Sequence, residues 1–410
     1  MSSKSLAATR PLETPASHAS DRITPSGRLI LKMLSALTHG ALLLKAPDGS
    51  VRLFGDGSHP ISLELKDWSM CAAALRSGDI GFAETFIAGQ WKTDDLPGLI
   101  ALLIRNRSTI ETLIYGTWWG SLLYRAKHFL NRNSRSGSKK NIHAHYDIGN
   151  RFYQLWLDPS MSYSSALFSG VQDDNLMLAQ QAKYRRILDQ LDLAPGARVL
   201  EIGCGWGGFA EMAARDQVHV TGLTLSTEQL DYAQQRLLDA GLADLADLQL
   251  CDYRDSHGQY DAIASIEMFE AVGQSYWSSY FECVASNLKK GGRACIQTIV
   301  IADALFERYS KGTDFIQQYI FPGGMLPSPQ EFRRCAAEHG LRVTDEFCFG
   351  LDYAHTLRLW RNSFTLELAA IERQGFDVHF LRTWEFYLCY CEAAFCTSNT
   401  DVMQFTLVKD

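Results

Sequence analysis

The stretch VLEIGCGWGGFA, Val199 to Ala210, decides how this chain folds. An apolar run through Ile202 feeds a turn with glycines at Gly203, Gly205, Gly207 and Gly208, and Phe209 to Arg215 has helical composition. That order reads as a strand, a tight turn and the start of a helix. Glycine suits such a turn because it accepts positive φ at no steric cost and lets the backbone come close to a ligand. A tight βα turn without any ligand would use the same residues, so the neighbouring segments have to decide.

Those segments alternate. The hydrophobic pattern predicts strands near Arg198–Ile202, Val218–Leu223, Asp247–Cys251, Tyr260–Ser265 and Arg293–Ile299, with helices near Gly207–Arg215, Thr227–Ala240 and Ser275–Leu288. Strands separated by helices imply a parallel sheet covered on both faces, with ligands at the carboxyl ends of the strands. Further on, the pattern predicts a helix at Pro329–His339, a strand near Leu341–Phe349, two helices across Thr356–Phe395 and a last strand at Val402–Val408. A strand that follows late helices is expected as an antiparallel edge.

The second strand separates two kinds of nucleoside ligand. A dinucleotide fold places Asp or Glu at its end to hold a ribose, but Val220 to Leu225 reads VTGLTL and carries no acid. The next strand ends in Cys251, Asp252 and Tyr253, where an Asp could accept from an adenine amino group. A nucleoside-binding transferase therefore fits better than a hydride-transfer enzyme.

A length of 410 residues favours two domains. Hydrophobic residues at 46% and charged residues at 21% describe a globular chain, and a formal charge of −7 argues against nucleic acid as a partner. Residues 1–24 are rich in Ser, Ala, Thr and Pro and read as a disordered tail without a secretory core. Residues 25–130 read as a small, mainly helical domain: Leu29 to Leu44 helical, a strand at Val51–Phe54, and helices at Trp68–Ser77, Phe82–Ile87 and Leu96–Ile104. No run reaches the roughly 20 apolar residues of a membrane span. Ten scattered cysteines without a C-x-x-C pair fit reduced thiols and no metal site, and so a cytoplasmic protein. The stretch NRNSRSGSKK, within a linker at 131–141, brings the Lys and Arg between positions 125 and 140 to six. It reads either as a solvated linker or as a basic patch for an anionic membrane surface.

With these pieces in place the chain resembles the cyclopropane-fatty-acyl-phospholipid synthases, long form. The matching stretches are HYDIGNRFYQLWLD from His145, MSYSSALF from Met161, LEIGCGWGG from Leu200, GLTLSTEQ from Gly222, MFEAVG from Met268 and YIFPGGMLPS from Tyr319. The resemblance implies a Rossmann-like class I methyltransferase over 142–410: a mostly parallel seven-stranded sheet with a helical insert near the C-terminus. It implies S-adenosylmethionine as cofactor, with Tyr163 and Ser164 closing over it and Gly203, Gly205 and Gly207 at its methionine end. Thr224, Leu225, Ser226 and Gln229 would line ribose and adenine, and Asp252 with Tyr253 would fix the base. It further implies a homodimer working on phospholipid at the inner membrane face, as a peripheral rather than integral protein.

The chemistry so implied is attack by an alkene on a sulfonium methyl, which leaves a carbocation on the acyl chain until a proton departs and a ring closes. Aromatic faces stabilise such a cation. In the family a bicarbonate ion takes the proton, held at positions that correspond here to Ser165, Glu270, Gln297, Ile299 and Tyr353. Ser165 stands where the family commonly has Cys, Gln297 where it has His, and Ala271 where it has His. Ser and Gln can still donate to an anion, but no titrating imidazole remains at 297. Glu270, in the apolar setting IEMFEAV, is the residue expected to matter most. Cys391 matches a cysteine sometimes named as catalytic, although methyl transfer to an alkene needs no covalent intermediate and packing explains it better. The altered cluster leaves ring closure as the first expectation and a methyl-branched or methylene product as the second. Two other classes stay open: a methyltransferase for a small polar acceptor, and a cofactor- or lipid-binding protein without turnover.

Overall fold

The computed structural model describes residues 22–114, 148–169 and 174–410. The linker at 131–141, the basic stretch around it and most of the N-terminal tail lie outside these residues. A seven-stranded sheet carries the C-terminal two-thirds, built from β5 (Arg198–Ile202), β6 (His219–Thr224), β7 (Ala246–Leu250), β8 (Tyr260–Ile266), β9 (Leu288–Ile301), β10 (Leu341–Cys348) and β11 (Thr400–Lys409). Its order is β10-β11-β9-β8-β5-β6-β7. The pairs from β9 through β8, β5 and β6 to β7 are parallel, as right-handed crossovers through helices require. Strand order reverses at β5, whose neighbours are β8 and β6, so a crevice opens at its carboxyl end. The fold is that of a Rossmann-like methyltransferase.

The last strand corrects one expectation. β11 is antiparallel, but it lies between β9 and β10 instead of at the edge. Its central residues Val402 to Leu407 are all buried, as befits a strand covered on both faces. The edge belongs to β10, where LRVTDEFC alternates between covered and wetter positions. The two helices expected late in the chain are three pieces, Gly350–Leu366, Leu368–Arg373 and Val378–Cys396. The break falls at Gly375, whose φ of 99° no helix can hold.

Residues 22–114 hold the helices Pro25–Leu34, Ser69–Ile87, Leu96–Arg105 and Arg107–Ile114. Between them runs a four-stranded sheet, β2-β1-β3-β4, where only one strand was legible: β1 (Gly40–Lys45), β2 (Val51–Asp56), β3 (Ile61–Leu65) and β4 (Trp91–Thr93). Leu42 to Leu44, expected as helix, lie in β1: the helix before them already ends at Leu34, capped at Ser35, and Gly40 at φ 83° opens the strand. The two short helices expected at Trp68–Ser77 and Phe82–Ile87 are halves of one helix kinked at Gly78. This segment shares an apolar core with the C-terminal helices. Phe386 stands 6.2 Å from the ring of Phe82 and 5.7 Å from that of Phe86, and Phe315 packs 4.8 Å from Phe386 on the other side. A polar pin crosses the same junction: Asp79 accepts from the Phe315 N–H at 3.1 Å and from the Tyr390 hydroxyl at 2.8 Å. Among the described residues no helix is long and apolar enough to cross a membrane.

Candidate active site

A cavity opens at the carboxyl ends of β5, β6 and β8. Its floor is the turn after β5, where Gly203 and Gly205 adopt φ of 87° and 50°. A Cβ on Gly203 would stand 2.9 Å from Met268 Cγ, while one on Gly205 would project into open space. The turn thus presents bare backbone to the cavity. Tyr163, Ser164, Thr224, Leu225, Gln229, Asp252 and Tyr253 also line it. Two expected members stand one layer back. Gly207 packs against Ala233, 3.0 Å from where its Cβ would be, and Ser226 caps the helix Thr227–Asp239 by accepting from Gln229 N–H. The Asp252 carboxylate is already engaged by Arg254, through Nε at 2.9 Å and Nη2 at 2.5 Å, so it meets a ligand with its remaining lone pairs only.

Two buried charged groups behind the floor gave no signal in the sequence reading. Glu201, the fourth residue of β5, is 2% exposed and lines the cavity, and its Oε2 has no hydrogen-bond partner among the described residues. Burial drives its carboxyl well above the usual range, with Lys183 opposing. Lys183 is fully buried on the helix Leu176–Leu191; its ammonium donates to Ser164 Oγ at 2.5 Å and to Gln180 Oε1 at 2.6 Å. Burial pulls its pKa down to about 7, against the pull of Glu267, Asp158 and Glu201. An orphaned acceptor facing a glycine-floored cavity fits the donors of a nucleoside amino acid, and S-adenosylmethionine matches this set.

The acid cluster adds a second carboxylate to the expectation built on Glu270. Glu267, which the sequence reading passed over, gathers the expected donors. Its Oε1 accepts from the Ser165 N–H at 2.8 Å and from Gln297 Nε2 at 2.7 Å, and its Oε2 accepts from the Tyr353 hydroxyl at 2.6 Å. Ser165 takes part through its backbone, because its hydroxyl donates to Ala166 O instead. Glu270 sits beside this group rather than in it, accepting from Thr298 Oγ1 at 2.9 Å and from the Ile299 backbone. Burial first, and then the Glu267 charge, push the Glu270 carboxyl up to about 8. Burial raises Glu267 too, while the attraction of Lys183 and the three donors hold it toward the anion. Bicarbonate does not fit this arrangement. The donors assigned to it already face a carboxylate, and a second anion would stand against the first, while Lys183, the cation drawn to Glu267, already serves Asp158 and Glu201 as well. Cys391 packs on the aromatic core, and burial pushes its thiol up, away from the thiolate. A second acid three residues before Glu270, in an otherwise apolar run, was the available signal for Glu267.

Glu267 is backed by a hydrogen-bond chain that runs across the sheet. Gln297 on β9 lies opposite Ile266 of β8 and opposite Gln404 of β11. Gln404 Nε2 donates to Gln297 Oε1 at 3.0 Å, and Arg186 Nη1 donates to Gln404 Oε1 at 2.7 Å while Nη2 pairs with Asp345. A guanidinium only donates, so it fixes the orientation of both amides and leaves Gln297 with its NH₂ toward Glu267. On the other wall, Tyr163 leads from the cavity into an aromatic cluster. Its hydroxyl meets that of Tyr387 at 2.6 Å, and its ring lies 5.3 Å from Trp360, 5.7 Å from Trp156 and 5.4 Å from Tyr153.

Comparison with known proteins identifies the family. The family model for mycolic acid cyclopropane synthetase matches residues 133–405. Tuberculostearic acid methyltransferase UfaA1 of Mycobacterium tuberculosis is 35% identical over 382 residues, 91% of this chain and 89% of its own length. Cyclopropane-fatty-acyl-phospholipid synthase of Escherichia coli is 34% identical over 355 residues, 85% of this chain and 88% of its own. Among solved structures, mycolic acid cyclopropane synthase CmaA1 complexed with SAH and CTAB is 31% identical. It superposes with a TM-score of 0.61 over 66% of this chain and 98% of its own.

Proposed function

The chain belongs to the mycolic acid cyclopropane synthetase family and is an S-adenosylmethionine-dependent methyltransferase, and from that premise we propose that it methylates the cis double bond of unsaturated phospholipid acyl chains and closes a cyclopropane ring. The observation that carries this reading is that the cavity is lined both by Tyr163, which leads into an aromatic cluster, and by Glu267, whose carboxylate is held by three donors. S-adenosylmethionine, when bound, supplies the methyl group. Tyr163 and the rings behind it offer an apolar, electron-rich surroundings suited to a hydrocarbon acceptor and to a cation on it. A small polar acceptor would need polar groups on that wall.

Ring closure needs no reductant, because proton loss from the added methyl completes the product. A second reading, a methyl-branched chain, draws support from the likeness to UfaA1. That product calls for a hydride donor in addition. Both readings place the enzyme at the membrane surface, as a peripheral homodimer reaching acyl chains from one side. The test is mass spectrometry of lipids from a host expressing the protein, with ozonolysis of the product. Ring closure gives acyl chains heavier by one CH₂ that resist ozone. Heavier chains that are still cleaved by ozone would refute ring closure, and unchanged chains would refute acyl methylation altogether.

A further inference from the structure

We propose that Glu267 is the reaction's proton acceptor, a carboxylate carried by the chain itself in the place where the resemblance implied a bound bicarbonate. The inference rests on acyl methylation and says which group makes the reaction run forward. Three observations converge on Glu267. It lines the cavity next to Gly203 and Met268, at the floor of the cofactor turn. Its two oxygens are held by three donors from three separate parts of the chain, Ser165, Gln297 and Tyr353. Its backbone sits at φ 50°, in the left-handed region that an L-residue adopts only against local strain, so the surrounding structure holds the glutamate in place.

The other acids at the site are unsuited. Glu270 is not among the residues that line the cavity and is held by Thr298, and burial first, then its neighbour's charge, push its carboxyl up to about 8. Glu201, on β5, has an Oε2 with no hydrogen-bond partner among the described residues, and burial drives its carboxyl well above the usual range, so nothing there holds it as an anion in the way three donors hold Glu267. Oε1 of Glu267 is filled by two donors, which leaves Oε2, with a single donor in Tyr353, as the atom that takes the proton. The step balances without a further reactant. The alkene π pair forms the new C–C bond as the S–CH₃ bond breaks toward sulfur. One methyl proton then passes to Oε2 of Glu267, and the released C–H pair closes the third side of the ring. The acid formed at Glu267 returns its proton to solvent between turnovers.

The test compares Glu267→Gln with Glu267→Gly in the full-length enzyme, on liposomes containing unsaturated phospholipid. Glycine suits a positive φ and opens a small space among the three donors. Glutamine keeps the shape without a basic oxygen. Binding of S-adenosylhomocysteine by calorimetry should stay within threefold of wild type in both, which shows that the floor is intact. Turnover should fall at least 100-fold in both, and added formate or bicarbonate should restore at least tenfold in Glu267→Gly only. Wild-type turnover should be the same in carbonate-free buffer as with added bicarbonate. Retention of turnover within threefold by Glu267→Gln, failure of both anions to restore Glu267→Gly, or loss of wild-type activity in carbonate-free buffer would each overturn the proposal. Absence of label in the acyl chains with wild-type enzyme is a different failure, that of the functional reading, and is seen before any variant is made.

Discussion

Replacing Gln404 with Leu should slow the enzyme from a position that touches no substrate. Gln404 is fully buried, and its amide is the link between Arg186 and Gln297. Leucine fills much of the same volume but leaves Gln297 Oε1 with no donor. Arg186 keeps Asp345, so the cation itself stays paired. Gln297 is then free to turn over and present its oxygen to Glu267, which costs that carboxylate one of its donors. A hydrogen bond to a charged group is worth about 1.5–3 kcal/mol, so turnover near neutral pH should fall roughly 10- to 150-fold. The direction with pH is also fixed. Loss of a donor to the anion raises the carboxyl's pKa, so the acid limb of the rate profile moves to higher pH and part of the activity returns there. Arg186→Met should behave in the same way, and Arg186→Lys should recover part of the loss. The assay is transfer of labelled methyl groups to liposomes between pH 6 and 9, with S-adenosylhomocysteine affinity as control. An equal loss at every pH, or none, would refute this coupling between Arg186 and the active-site carboxylate.

Glu270→Gln should lower turnover while leaving S-adenosylhomocysteine affinity within threefold; calorimetry beside the liposome assay decides it. Because the folded-state Glu270 carboxyl is raised to about 8 from an ordinary 4.5, the native state holds a proton that the unfolded chain gives up. Stability from this group is therefore present at low pH, declines between about pH 5 and 8 and is level beyond, and Glu270→Gln should flatten that slope in melting curves. Asp79→Asn keeps acceptors for Phe315 and Tyr390 but removes a charge beside Asp314, whose carboxyl burial and Asp79 raise to about 7. The variant should melt higher than wild type at pH 8 and no higher at pH 5. Gly203→Ala asks a side chain to adopt φ 87° and to displace Met268; cofactor affinity should drop about tenfold or more, since about 1–2 kcal/mol goes to the backbone alone.

The parallel half of the sheet was legible because each strand is a short apolar run bounded by a turn, and period and length agree. β11 was misplaced at the edge because its neighbours come from parts of the chain far away in sequence, although VMQFTLV carries no charged residue and LRVTDEFC of β10 carries three. In residues 22–114 the triple leucine of β1 fits a helix or a strand equally well, and Gly40 at positive φ opens the strand. For the site, the glycine turn and Asp252–Tyr253 could be read from their places at strand ends. Gln404, Arg186 and Lys183 could not, because what they do arises from side chains meeting across β8, β9, β11 and a helix; Glu267 left only the weak signal of a second acid in an apolar run. Alignment by motif fixed attention on Glu270 and bypassed its neighbour, which stands three residues earlier at the exit of β8.

Where Phe386 meets Phe82 and Phe86, one face of the helix Val378–Cys396 is made interior by residues 22–114. Cutting the chain before the Rossmann-like part would lay bare a ribbon of rings along Val378–Cys396, the helix that also carries Tyr387 to its partner Tyr163. Residues 22–114 are in that sense a mould for the helix that carries Tyr387: take the mould away, and that helix loses its setting before the glycine turn does.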